Sequence, residues 1–183
     1  MKLRTFFALR IPDRTARELA NLSDELCQFD LGLDATWFDS SGYHLTLCFL
    51  GDVSLEQVEQ LEKRAAEIDF GERFNVHLDQ ISYYAVNPRL SLIAAMTALN
   101  SRLTTLHEQL VTLAEEVGIV RKDQNFMPHV TLARLPAVNR FAVYRELPSI
   151  DHNLPADSIV LLQSTESDHG SVYKPLFEVP LTR

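Results

Sequence analysis

Twice in this chain, 85 positions apart (129 − 44), a histidine and a threonine stand two residues apart inside a short apolar run: Tyr43-His44-Leu45-Thr46-Leu47-Cys48-Phe49-Leu50 and Pro128-His129-Val130-Thr131-Leu132-Ala133. Apolar runs of this length, with β-branched and aromatic members, read as half-buried strands. Side chains alternate faces along a strand, so His44 and Thr46 share one face while Leu45 and Leu47 pack behind them. His129 and Thr131 stand likewise in front of Val130 and Leu132. One such strand is ordinary in a protein core, where its histidine is satisfied by a hydrogen bond. Two facing each other supply two titratable imidazoles and two hydroxyl donors around one cleft. Those parts suit general acid–base chemistry on an anion.

The surroundings of the two runs repeat as well. Phe6-Phe7-Ala8-Leu9 begins 38 residues before His44 (44 − 6), and Leu92-Ile93-Ala94-Ala95 begins 37 before His129 (129 − 92). A helical pattern follows each, roughly Asp13 to Gln28 and Thr97 to Val117. A strand-like run starts 30 residues after each histidine, at Phe74 (74 − 44) and Ile159 (159 − 129). Another is centred 47 residues on, at Ser91 (91 − 44) and Leu176 (176 − 129). This period is too long for a solenoid and fits two copies of one α+β unit.

A chain of 183 residues is expected to form one compact domain over 1–183, built of two lobes with one motif each. It has no run of eighteen apolar residues, so no transmembrane helix is expected, and its charged, short-run start does not read as a secretory signal. Cys27 and Cys48, on a predicted helix and a predicted core strand, read as reduced cytoplasmic thiols. No cysteine or histidine spacing suggests zinc. The net charge of −8 argues against a protein that grips long duplex nucleic acid by its backbone. It leaves room for a cleft that takes the end of an RNA chain or a nucleotide, with local charge from Arg89, Arg121, Lys122, Arg134 and Lys174.

Further features follow in chain order. Asp13 is expected to cap the first helix, and Ser54, with Gln57 in the next turn, the second. Trp37 and Phe38 stand in the Asp30–Gly42 loop just before the first motif; a loop tryptophan usually anchors to the core, and beside an active cleft Trp37 could instead stack on a base. Phe74 to Ile81 alternates so that His77 points outward, and Asn87-Pro88 makes a turn. His107 sits mid-helix in a structural or exposed position. The Gly118–Met127 loop before the second motif carries Arg121, Lys122, Asn125 and Phe126, a basic and aromatic border to the cleft. Strict alternation puts Arg134 on the face opposite His129 and Thr131; a bulge would bring it round. Pro136 to Pro155 reads as loop with a short helix near Asn139 to Arg145, and His152 and His169 read as loop residues. Strands are expected at Ser158 to Thr165 and Tyr173 to Val179.

The paired His-Leu-Thr-Leu and His-Val-Thr-Leu motifs, the opening Arg4-Thr5-Phe6-Phe7-Ala8-Leu9, Phe49-Leu50-Gly51-Asp52-Val53, Pro128 to Arg134 and the late Ser164-Thr165 … Tyr173-Lys174-Pro175-Leu176 segment resemble the 2H phosphoesterase superfamily. Within it the chain is most similar to the RNA 2′,3′-cyclic phosphodiesterases, also called the 2′-5′ RNA ligase family. The loop Asn125-Phe126-Met127-Pro128 departs from the more polar run common there. The resemblance implies a bilobal, duplicated α+β fold with pseudo-two-fold symmetry. Two antiparallel sheets with outer helices would enclose a central cleft. It implies metal-independent hydrolysis of terminal 2′,3′-cyclic phosphates to 2′-phosphomonoesters, with no cofactor. His44 would be the proton donor and His129 the proton acceptor, with Thr46 and Thr131 on the phosphoryl oxygens. Arg134, Trp37, Phe126 and Tyr173 would contact substrate. The protein would act as a cytoplasmic monomer on RNA 3′ ends or nucleotides. Two other functions use the same residues: ligation through a 2′-5′ bond, which is the reverse reaction, and non-catalytic binding of RNA ends or nucleotides.

Overall fold

The computed structural model describes residues 1–28, 34–121, 125–137, 147–168 and 170–183. The proposed helix near Asn139 to Arg145, Lys122 and His169 lie outside them. Within the described residues, nine strands and three α-helices follow in the order β1 (Lys2–Arg10), α1 (Asp13–Cys27), β2 (Thr36–Trp37), β3 (His44–Ser54), α2 (Leu55–Ala65), β4 (Phe74–Asn87), β5 (Leu90–Thr97), α3 (Ser101–Glu116), β6 (His129–Pro136), β7 (Ser149–Ala156), β8 (Ser158–Ser167) and β9 (Gly170–Pro180). The strands lie in the spatial order β7-β4-β5-β6-β3-β1-β8-β9, with short β2 added on β6, and all pairings between them are antiparallel. The fold is α+β, as expected. The two expected sheets are its two halves, β7-β4-β5-β6 and β3-β1-β8-β9, joined edge to edge at the single pair Leu45↔Val130.

That seam brings the two motif strands together. β3 and β6 are the innermost strand of each half, and β1 and β5 are their outer neighbours. The duplicated order therefore holds for the motif strands and the runs about 38 residues before them. It fails for the last run of each unit: β5 lies inside its half, whereas β9 is an edge strand.

The helices lace the halves together. α1 follows β1 but packs on β6 and β7, while α3 follows β5 and packs on β3. The Thr15 hydroxyl of α1 donates to the Asn153 carbonyl of β7 (3.3 Å), and Glu18 pairs with His152 (3.2 Å). Asp13 opens α1 from within its first turn; Pro12 occupies the cap and supplies no side-chain bond. α2 has the expected reciprocal cap, with Gln57 N–H donating to Ser54 Oγ (3.1 Å) and Ser54 N–H to Gln57 Oε1 (3.0 Å). Asn100 caps α3 through the N–H groups of Arg102 and Leu103.

Sheet and helices share one apolar core that includes Phe7, Leu9, Leu45, Leu47, Ile93, Val130 and Leu132 with Leu19, Leu103, Leu106 and Leu110. Each such Leu or Phe, fully buried, contributes about 1.5–3 kcal/mol relative to exposure. β1 is buried on both faces. Its other face places Phe6 and Ala8 with Val160 and Leu162 in a smaller cluster, against which Phe49 and Tyr173 pack. β7, absent from the sequence reading, is an edge strand paired with β4, and an edge tolerates its Pro155. No helix among the described residues is long and apolar enough to cross a membrane.

Candidate active site

Both motif strands carry a bulge at the same place. In β3 the pairing to β1 steps from Phe7↔Cys48 to Ala8↔Thr46, leaving Leu47 without a partner. In β6 the pairing to β5 steps from Ile93↔Ala133 to Ala94↔Thr131, leaving Leu132 without one. Consecutive residues are then buried, Leu47 with Cys48 and Leu132 with Ala133, and the alternation reverses beyond them. Donors from outside the ladder satisfy the freed carbonyls. His107 Nδ1–H of α3 donates to Leu47 O (2.7 Å), and Phe38 N–H donates to Leu132 O (2.9 Å). Of the two positions open to His107, structural or exposed, this bond gives it the structural one.

The bulges decide which side chains join the motif pairs. Arg134, five residues after His129, comes round to the face of His129 and Thr131 and lines the cleft. Phe49, five after His44, does the same in the other half. The resulting cleft, about 280 Å³, is lined by His44, Thr46, His129, Thr131 and Arg134, with Phe6, Phe38 and Tyr173 among the aromatic walls. The β4–β5 hairpin adds Val86, Leu90 and Leu92, and the β8–β9 hairpin adds Ser164, Glu166 and Ser171.

The two imidazoles are held in the same way. His44 Nδ1 lies 2.9 Å from Gly42 O, and His129 Nδ1 lies 2.7 Å from Met127 O. A carbonyl only accepts, so Nδ1 carries the hydrogen in each ring and Nε2 is left to exchange a proton. The His44 ring packs against Phe6 and edge-on against Tyr173, both with centroids 4.7 Å away. Burial pulls the His44 pKa down from 6.5 to about 4; the Gly42 carbonyl opposes this, and charge on His129 and Arg134 adds to it. His44 is therefore neutral in the empty cleft at pH 7. Between pH 6.5 and about 4 the unfolded chain takes up a proton here that the folded chain refuses, so stability falls as pH drops through that window. His44→Gln is expected to flatten that part of the stability–pH curve measured by urea denaturation. An unchanged slope contradicts the buried, neutral imidazole.

The Thr46 and Thr131 hydroxyls make no hydrogen bond within the described protein and are free for a ligand. The Arg134 guanidinium lies over the Phe38 ring, 5.3 Å from its centroid. Tyr173 lines the cleft. Trp37 and Phe126 are not among the residues lining it. Trp37 pairs with Ala133 and faces a separate depression beside Ala20, Ser23 and Cys27 of α1, so the next residue, Phe38, takes its place at the cleft. Phe126 stacks flat on His107, with centroids 4.2 Å apart, and supports the bulge of β3. The sequence reading missed Phe6, Phe49 and Tyr84, whose ring is 6.3 Å from that of His129. Phe49 carried no signal in the sequence, since its direction, like that of Arg134, depends on the bulge. Among the described residues no group of three or more His, Cys, Asp or Glu is arranged to hold a metal.

Comparison with known proteins agrees with this fold. Residues 9–90 match the family model described as LigT like phosphoesterase. The RNA 2′,3′-cyclic phosphodiesterase of Aeropyrum pernix is 28% identical over 88% of this chain and 93% of its own. That of Thermotoga maritima is 24% identical over 96% and 94%. The crystal structure of E. coli LigT complexed with 3′-AMP shares the fold, with a TM-score of 0.78 over the whole of both chains at 24% identity. TT0787 of Thermus thermophilus superposes with a TM-score of 0.73 over 98% of both, at 25% identity. The chain thus resembles the LigT-like phosphoesterases over residues 9–90, and the two RNA 2′,3′-cyclic phosphodiesterases, at 28% and 24% identity, over most of both chains.

Proposed function

We propose that this protein hydrolyses RNA ends that carry a 2′,3′-cyclic phosphate, leaving a 2′-phosphomonoester and a free 3′ hydroxyl. The observation that carries the reading is the matched pair of imidazoles, each anchored at Nδ1 by the carbonyl two residues before it and each beside an unbonded threonine hydroxyl. Relatives named as RNA 2′,3′-cyclic phosphodiesterases support the substrate.

In this reading His129 Nε2 takes a proton from a water molecule whose oxygen attacks phosphorus. The bond from phosphorus to O3′ breaks, and His44 Nε2 delivers its proton to O3′. The two imidazoles stand on the innermost strands of the two halves and line one cleft, which suits attack and departure on opposite sides of phosphorus. Thr46, Thr131 and the Arg134 guanidinium stabilise the charge growing on the non-bridging oxygens. His44 is neutral while the cleft is empty, and an arriving phosphate anion favours its protonated form, so the acid is charged as substrate binds. Tyr173 positions the His44 ring by edge-on packing. The chain acts as one two-lobed domain and as a monomer; its unpaired Cys27 and Cys48 fit a cytoplasmic setting. Ligation through a 2′-5′ bond runs over the same groups in reverse, and water in excess favours hydrolysis.

Incubation with an RNA oligonucleotide ending in a 2′,3′-cyclic phosphate, in the presence of EDTA, is expected to yield the 2′-phosphate, read by mass and isomer analysis. Retained binding of the cyclic end without turnover would replace this reading with a binding module.

A further inference from the structure

Three arginines border the cleft of an acidic chain, and none is paired with a carboxylate among the described residues. The ion pairs there are made by Arg10, Arg14, Arg64, Arg73, His77 and His152. Arg4, Arg121 and Arg134 are in none of them. Arg134 lines the cleft itself, beside His129 and Thr131. Arg4 and Arg121 converge instead on Phe49: the Arg4 guanidinium lies 5.4 Å from its ring centroid, and Arg121 Nε–H donates to its carbonyl (3.1 Å). Together with Gly51, Asp52 and Val120 they line a second depression of about 440 Å³. It shares Arg4 and Phe49 with the cleft, so the two are contiguous.

A third depression also touches the cleft, through His44 and Tyr173, but its charge is wrong for a phosphate. There Arg10 is held by Glu178 (3.0 Å), and Asp13 and Asp157 add negative charge. In the Arg4–Arg121 depression, two unpaired cations outweigh one carboxylate, that of Asp52.

We infer that Arg4 and Arg121 form a second anion subsite, which takes the phosphodiester immediately upstream of the cyclic phosphate. This rests on the hydrolase reading and narrows it. The preferred substrate is an oligonucleotide end, and a cyclic mononucleotide is the poorer one. A guanidinium beside an aromatic ring and a backbone carbonyl is already oriented, so little freedom is lost when the phosphate arrives. The subsite recognises charge and carries no base readout.

The test compares kcat/KM for a cyclic mononucleotide, for a dinucleotide with the same cyclic end, and for that dinucleotide with a neutral methylphosphonate linkage. The natural dinucleotide is expected to be better than either of the others by about tenfold, the scale of one charge-assisted contact, and to lose that advantage as salt rises. Arg121→Ala is expected to abolish the advantage while leaving the mononucleotide rate unchanged. Equal rates for the phosphate and methylphosphonate dinucleotides in the wild type would overturn the subsite, and that comparison does not depend on how any variant folds. A variant equally slow on mononucleotide and dinucleotide would overturn it too. Hydrolysis of none of them would sink the reaction, not the subsite. Binding of the same dinucleotides then decides: tighter binding of the phosphate form upholds the subsite, and equal binding overturns it.

Discussion

His129→Ala and His44→Ala are each expected to lower the rate on a cyclic-ended RNA by at least about 10²-fold, the usual scale for loss of a general acid or base. The two are expected to be similar in size because the two rings are held alike, each by a carbonyl two residues back. The double variant should lose far less than the product of the two single losses, because a base without its acid partner leaves the departing oxygen unprotonated. Circular dichroism at pH 7, above the window in which His44 titrates, should show each variant folded, since both rings line the cleft and neither belongs to the main apolar core. A folded variant of either histidine with an unchanged rate would end the paired-imidazole account.

Thr131→Val and Thr46→Val are expected to have the next largest effect, roughly 10²-fold in kcat for each, the lower end of the range for one lost transition-state donor. Valine keeps the shape of threonine, and neither hydroxyl has a partner within the described protein, so stability should hardly change. That separation of rate from stability is the diagnostic. A hydroxyl serving the fold would show the reverse pattern, lower stability with rate intact. Binding of the ground state should weaken less than kcat falls, because charge on the non-bridging oxygens is greatest in the transition state.

The motif strands were legible in the sequence because a period of two puts His and Thr on one face whatever surrounds them. Arg134 was not, since its direction depends on whether Leu132 is bulged out of the pairing with β5. A bulge is a property of two strands and leaves no mark on either alone. Trp37 and Phe38 show the same limit on a smaller scale. Both were visible beside the motif, but pairing of β2 with β6 turned the tryptophan toward α1 and gave the cleft to its neighbour. Phe126 read as a cleft aromatic, yet the nearest flat surface for it was His107, whose own task is the carbonyl freed by the other bulge. β7 was hidden because proline and charge are compatible with a sheet edge and look like loop. The joined sheet rests on one pair, Leu45↔Val130, and so small a seam has no sequence signature of its own.

The most direct test of the central claim replaces O3′ of the cyclic phosphate with sulfur, since a thiolate departs without needing a proton. On this substrate His44→Ala should recover most of the rate it loses on the oxygen substrate, while His129→Ala should remain as impaired as before. Recovery by His129→Ala in place of His44→Ala would reverse the two roles, and no recovery by either would contradict acid–base catalysis by this pair.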